Sequence, residues 1–214
     1  MRRAVLVAVL CATAAPAAAQ RFVVGPSGFL LGDYREVSND LRYGVSGFGG
    51  AAVLTLGRFA AEASFASLSY EPRPRGTASE PFDATQFDGY LRYRVLPWVS
   101  LELGVTSRDV RDEFRAQSVA AFRIGAHSTV AIGPYAGVAT RLNYLAGPRF
   151  SGGGSAPFAM DVGLSVYHGF ARGRIRLAGE SQLQRFNRTV RVAGAERDVP
   201  IQQIVARLGL AVGF

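Results

Sequence analysis

The chain has 214 residues, 24 of them basic and 16 acidic, for a formal net charge of +8, and its mean hydropathy is positive at +0.14. A single cysteine excludes an internal disulfide, and past the first residues no run of 18 apolar side chains occurs, which excludes a hydrophobic membrane-crossing helix there. Every basic residue is arginine; such a balance would suit nucleic acid, a reading that the N-terminal segment opposes.

Arg2 and Arg3 precede the apolar run AVLVAVLCATAA, which is followed by Pro16 and the small-residue stretch AAAQ. That is the charged, apolar, small-residue order of a secretory signal peptide, residues 1–19, cut after Ala19, with Ala17 and Ala19 as the small side chains of the site. The run is short for a retained membrane helix and no stop-transfer pattern follows. Cys11 lies inside it, and Leu10 just before that cysteine does not suit a lipoprotein signal. Without Arg2 and Arg3, residues 20–214 carry 22 arginines against 16 acids, +6, and export argues against a nucleic-acid partner.

Residues 20–214 show no composition break, heptad or solenoid repeat, and so form one domain. They divide into segments of roughly ten residues with period-two alternation, separated by turn residues. The predicted strands are about 26–36, 42–56, 58–71, 85–95, 98–110, 115–127, 130–145, 157–169, 173–186 and 201–214. This gives ten strands, or eight if the glycine-rich stretch VSGFGGAA within 26–56, where glycine marks a bulge or close packing, does not supply two spans. In the fourth segment Phe87, Gly89, Leu91, Tyr93 and Val95 share one face and Asp88, Tyr90, Arg92 and Arg94 the other. In the fifth, Val99, Leu101, Leu103 and Val105 oppose Ser100, Glu102, Thr106 and Arg108. The eighth sets Phe158, Met160, Val162, Leu164 and Val166 against Asp161, Ser165 and Tyr167, and the ninth sets Ile175, Leu177 and Leu183 against Arg174, Arg176, Glu180 and Gln182.

Very short connections at Leu56-Gly57-Arg58, Leu96-Pro97, Ser128-Thr129 and Phe170-Ala171-Arg172 alternate with longer polar links at 72–85, 147–156 and 188–200. Short turns at one end and long loops at the other are the asymmetry of a membrane barrel. Phe59, Trp98 and Phe170 lie by the turns, and Tyr34, Tyr70, Tyr144, Phe158 and Phe186 by the loops, positions expected to form two interfacial girdles.

The last segment, IQQIVARLGLAVGF, puts Ala206, Leu208, Leu210, Val212 and Phe214 on one face and ends on an aromatic residue. This resembles the closing strand of bacterial outer-membrane β-barrel proteins, and the pattern as a whole is similar to the OmpA/OmpX-like and porin-like small barrels. The resemblance implies an all-β, transmembrane, antiparallel up-and-down barrel in the bacterial outer membrane, monomeric and in contact with outer-membrane lipid and lipopolysaccharide. It also implies that Phe214, Val212 and Leu210 form the signal read by the barrel assembly machinery.

An arginine on the lipid face near the midplane costs about 2–4 kcal/mol, so charge should set the phase of each strand. That phase sends Arg92, Arg94, Arg108, Arg123, Arg141, Arg174, Arg176 and Arg207 inward, with Glu62, Asp88, Glu102, Asp161 and Glu180. Two readings of such a lumen stand: a salt-bridged interior filling a narrow barrel, or a water-filled path favouring anions. A soluble periplasmic lipocalin-like binding barrel would have the opposite polarity, apolar inside and charged outside.

His127-Ser128 is the first place to look for hydrolysis, since outer-membrane lipid A hydrolases hold a histidine and a serine close together on one strand. Adjacent residues of a strand face opposite sides and cannot share a proton. His127 and His168 also fall near the short turns, away from the loop end where an omptin-like protease keeps its acids and histidine. No enzyme is expected, and no cofactor or metal site, because no cluster has metal-ligand spacing. Ser151-Gly152-Gly153-Gly154-Ser155 lacks the lysine and helix of a phosphate-binding loop. Arg73, Arg75, Arg149, Arg188, Arg191 and Arg197, in the predicted loops, would stand at the height of lipopolysaccharide phosphates.

Overall fold

The computed structural model describes residues 20–78 and 80–213. The expected signal peptide with its expected cleavage site and Cys11, and the terminal Phe214, lie outside the described residues.

Ten strands follow one another: β1 (Gln20–Glu36), β2 (Leu41–Leu56), β3 (Phe59–Pro72), β4 (Phe82–Leu96), β5 (Val99–Val110), β6 (Val119–Ala131), β7 (Ala136–Phe150), β8 (Ser155–Phe170), β9 (Ile175–Val192) and β10 (Ala195–Gly213). Each pairs antiparallel with its sequence neighbours, and β1 pairs with β10, so the sheet closes into an up-and-down barrel without an edge. Ten strands is the first of the two expected counts. The glycine-rich region supplies both β1 and β2, with a register irregularity in β1 between Ser27 and Phe29 against β2 and between Val24 and Phe29 against β10.

Three connections differ from the sequence reading. Ser128-Thr129 is not a turn: Ser128 pairs with Thr140 and Thr129 with Ala139, and the chain reverses at 132–135, where Ile132 N donates to Ala136 O at 2.9 Å. Pro134, which has no amide to give a ladder, is the local reason. The link 188–200 is mostly strand, in a long β9–β10 hairpin reversed by Ala193-Gly194, whose φ values of 50 and 86° suit a tight two-residue hairpin turn. Residues 147–156 likewise belong largely to β7 and β8. The two ends of the barrel are therefore a turn end, where β1 begins and β10 stops, and a loop end with only modest loops.

Alternation places the charges inside. Along β4, Phe82, Ala84, Gln86, Asp88 and Tyr90 are buried while Phe87, Leu91, Tyr93 and Val95 are exposed. Leu91 is 66% exposed and Phe29 81%, whereas Arg123 and Asp161 are at 0%. The outer wall is a continuous apolar surface that includes Phe48, Leu101, Leu103, Phe122, Leu142, Leu164 and Leu208. This polarity is opposite to that of a lipocalin-like barrel.

Candidate functional site: the lumen

The lumen is built in layers, since side chains at equivalent heights on ten tilted strands meet on the axis. At the loop end the layer is aromatic. Tyr34, Tyr43, Tyr70 and Phe82 come from β1 to β4, and Phe114 from the short 3-10 turn at Asp112–Gln117. Tyr70 stacks on Phe82 at 4.3 Å, Phe82 on Phe114 at 4.9 Å, and Tyr34 meets Tyr70 edge-on at 5.6 Å. Opposite them Phe150 and Phe186 pack edge to face, with the Arg188 guanidinium 4.5 Å over Phe150 and its Nη2 donating to Gly153 O at 2.6 Å. Leu30, Leu68, Leu145 and Ile201 complete the plug. Tyr34, Tyr70 and Phe186 therefore form no outer girdle: they point inward and are buried, and only Tyr144 and Phe158 of the expected loop-end set lie on the outer wall.

Below the plug is a layer of amides and one arginine. Gln203 of β10 accepts hydrogen bonds from Tyr70 Oη at 3.0 Å and from Arg108 of β5, and donates to Gln86 of β4 at 3.3 Å. In the ring order β5 and β10 are diametrically opposite, so the Arg108–Gln203 bond crosses the whole lumen.

Two ion clusters follow. In the first, Arg123 of β6 reaches Asp88 of β4 at 2.6 Å and Asp161 of β8 at 3.1 Å, while Thr106 and Gln86 donate to Asp88 and Gln182 donates to Asp161. In the second, Arg92 pairs with Glu62 and, through Nε at 2.9 Å, with Glu102. Arg141 of β7 binds Glu102 at 3.1 Å, Glu62 at 3.5 Å and Glu180 at 3.7 Å, and Arg207 lies 3.9 Å from Glu180. Both clusters enclose the Tyr90 ring, with the guanidinium carbons of Arg141, Arg123 and Arg92 at 3.9, 4.8 and 5.9 Å from its centroid.

Ten of the thirteen residues read as lumen charges from the sequence thus meet in these layers. Arg94, Arg174 and Arg176 do not. Arg174 is in the β8–β9 turn and exposed, Arg94 is exposed at the turn end, and Arg176 lies over the Tyr167 ring at 5.2 Å. Tyr90, Gln203, Asn143 and Gln182 also belong to these layers but carry no charge to single them out; the alternation in the sequence already faces Gln182 inward with Glu180. The same alternation that places Asp88 and Arg92 inward also places Tyr90 there.

At the turn end the lumen opens into a vestibule of about 540 Å³, lined among others by Arg58, Arg94, Arg176, His127, Trp98 and Tyr167. His127 faces this lumen, whereas Ser128 and His168 are on the outer wall, so the two histidines do not share a site. Leu210 and Val212 of the last strand point outward. Among the described residues no group of three or more histidine, cysteine or carboxylate side chains is placed to hold a metal ion.

No family model and no curated protein matches the chain. Among solved structures, it is similar to the outer membrane protease OmpT from Escherichia coli, with a TM-score of 0.55 at 12% identity over 92% of this chain and 97% of the other. An anion-selective porin from Comamonas acidovorans (TM-score 0.35, 12% identity, 86% of this chain and 59% of the other) and an outer membrane channel from Pseudomonas putida F1 (TM-score 0.39, 11% identity, 94% and 97%) also align. The first likeness establishes the fold: an all-β, ten-stranded, up-and-down barrel of the kind found in bacterial outer-membrane proteins.

Proposed function

We propose that the chain resides in the bacterial outer membrane as a monomeric, non-conducting barrel, a membrane-anchored scaffold that acts through its two ends and not through its lumen. The hydrogen bond from Arg108 to Gln203, between strands on opposite sides of the ring, carries the reading: an axis bridged by side chains leaves no continuous water path. The aromatic plug above and the two ion clusters below repeat the closure at other heights. An eight-stranded barrel is just filled by side chains, and ten strands carrying tyrosines and arginines are filled in the same way.

Location follows from the wall. Strands of 12 to 19 residues exceed the roughly 9–11 needed to cross a bilayer, and their outer face is apolar. The turn end then faces the periplasm and the loop end the exterior. Partners on this reading are outer-membrane lipid and lipopolysaccharide, with Leu210, Val212 and Phe214 presented to the assembly machinery. The protease activity of the Escherichia coli neighbour is not carried over, because a likeness at 12% identity speaks for the fold alone.

Planar-bilayer recording tests the proposal. Refolded protein should give no steps above the lipid baseline; reproducible anion-selective steps that shrink in Arg92→Gln would replace it with the water-filled path. Location is tested by cell fractionation and by the gel mobility of unboiled against boiled samples, which should differ for a membrane barrel.

A further inference from the structure

The vestibule at the turn end differs in charge from the two ion clusters above it, where arginines and carboxylates pair. Arg58, in the β2–β3 turn, and Arg94, near the end of β4, are cross-strand neighbours: Arg94 N donates to Arg58 O at 2.8 Å. Both side chains line the same cavity, both residues are exposed to solvent, and neither has a carboxylate within ion-pairing distance among the described residues. Arg176 lines the cavity from β9, and Arg92 lies at its floor, committed to Glu62 and Glu102. Among the described residues no carboxylate side chain lines the vestibule. Directly opposed like charges on paired strands are destabilising, and here they surround a concave site whose low-dielectric walls concentrate their field. An oxyanion between the guanidinium groups would remove that repulsion, and the planar fork of arginine suits it.

The remainder of the lining is not generic. Trp98, 55% exposed, and the Tyr167 ring offer flat apolar faces, and Ser100 and Thr129 offer hydroxyls. The volume, about 540 Å³, lies within the roughly 300–1,000 Å³ of small-molecule pockets.

We propose that the vestibule is a binding site, open at the turn end, for a small organic anion, one that joins a phosphate or carboxylate to a flat apolar portion. Arg58 and Arg94 grip the oxyanion and Trp98 receives the flat portion. The site is blind because the ion clusters close the lumen behind it; in that closure and in its periplasmic placement, but not in its ligand, it rests on the function proposed above.

Trp98 is the single tryptophan of the chain and stands in the site, so its emission reports occupancy. Detergent-folded protein is titrated with phenyl phosphate, inorganic phosphate and benzyl alcohol, with calorimetry as a second readout. Phenyl phosphate should bind saturably with a dissociation constant below about 1 mM, inorganic phosphate at least tenfold more weakly, and benzyl alcohol not measurably. Arg58→Gln and Arg94→Gln should each weaken phenyl phosphate at least tenfold, while Arg191→Gln at the loop end leaves it unchanged; unboiled gel mobility confirms that each variant is folded. Absence of saturation by both readouts up to about 10 mM, or equal affinity in an Arg58→Gln, Arg94→Gln double variant, overturns the proposal. Because binding is measured in detergent, it is independent of conductance: a conducting barrel that binds phenyl phosphate refutes the closed lumen alone, and a silent barrel that does not bind refutes the vestibule alone.

Discussion

Replacing Arg123 by leucine should be the most destabilising single change in the lumen. Its guanidinium is wholly buried, 2.6 Å from Asp88 and 3.1 Å from Asp161, and those carboxylates are themselves 3% and 0% exposed. Arg123→Leu keeps most of the volume but leaves two carboxylates without their cation, and stranding one member of a buried ion pair costs about 3–5 kcal/mol. That is a large part of the roughly 5–15 kcal/mol that holds a domain folded. The pair itself need not be stabilising, so removing a stranded acid as well should recover stability: Arg123→Leu with Asp161→Leu should regain at least about 1 kcal/mol over the single variant. Asp88 keeps Thr106 and Gln86 as donors in both. The assay is reversible urea unfolding in phospholipid vesicles, followed by Trp98 emission. A loss below about 1 kcal/mol for Arg123→Leu, the scale of a solvated surface pair, would mean that water fills the axis and would refute the reasoning.

Three other outcomes are expected. Leu103→Arg, on the outer wall of β5, should cost about 2–4 kcal/mol in vesicles if it lies near the midplane, whereas Leu103→Ile should cost under about 1.5 kcal/mol in the same unfolding assay. Tyr70→Ala should lose about 3–5 kcal/mol through the hole left in the plug, yet planar-bilayer current should stay at baseline because the ion clusters beneath still close the lumen. Gly194→Val, at a φ of 86° in the β9–β10 turn, should increase cleavage of the hairpin tip by protease added to intact cells, without changing the gel mobility of the barrel.

The barrel was legible because its error costs are large. A one-residue slip in β4 would bring Asp88 and Arg92 to the outer wall, so the alternation there carries a sign. At the loop end of β1 it carries none. Tyr34 shares its face with Leu30 and Glu36, while Phe29, Leu31, Asp33 and Arg35 take the other, so both faces mix apolar and charged residues. Alternation there therefore allows an outer girdle, whereas the structure puts these aromatic side chains in an inner plug. Arg94 shows a different limit: its phase is that of Arg92, but two residues nearer the turn it has passed out of the packed layer into the vestibule. The Arg108–Gln203 contact joins residues 95 positions apart on opposite sides of a ring. Local periodicity gives each one's face, but only closure of the sheet decides which side chains meet across the axis.

Residues 20–214 contain no cysteine, so one fluorescent label can be placed at will among them, and quenching by lipids brominated along their acyl chains reads directly which face meets hydrocarbon. With Cys11→Ser as the background, Leu103→Cys should give strong quenching of its label and Asn143→Cys almost none, since Leu103 lies on the outer wall and Asn143 donates to Glu102 inside the ring. Equal quenching at the two positions, or quenching at 143 alone, would contradict a barrel that turns its apolar side chains to lipid and its ion pairs to the axis.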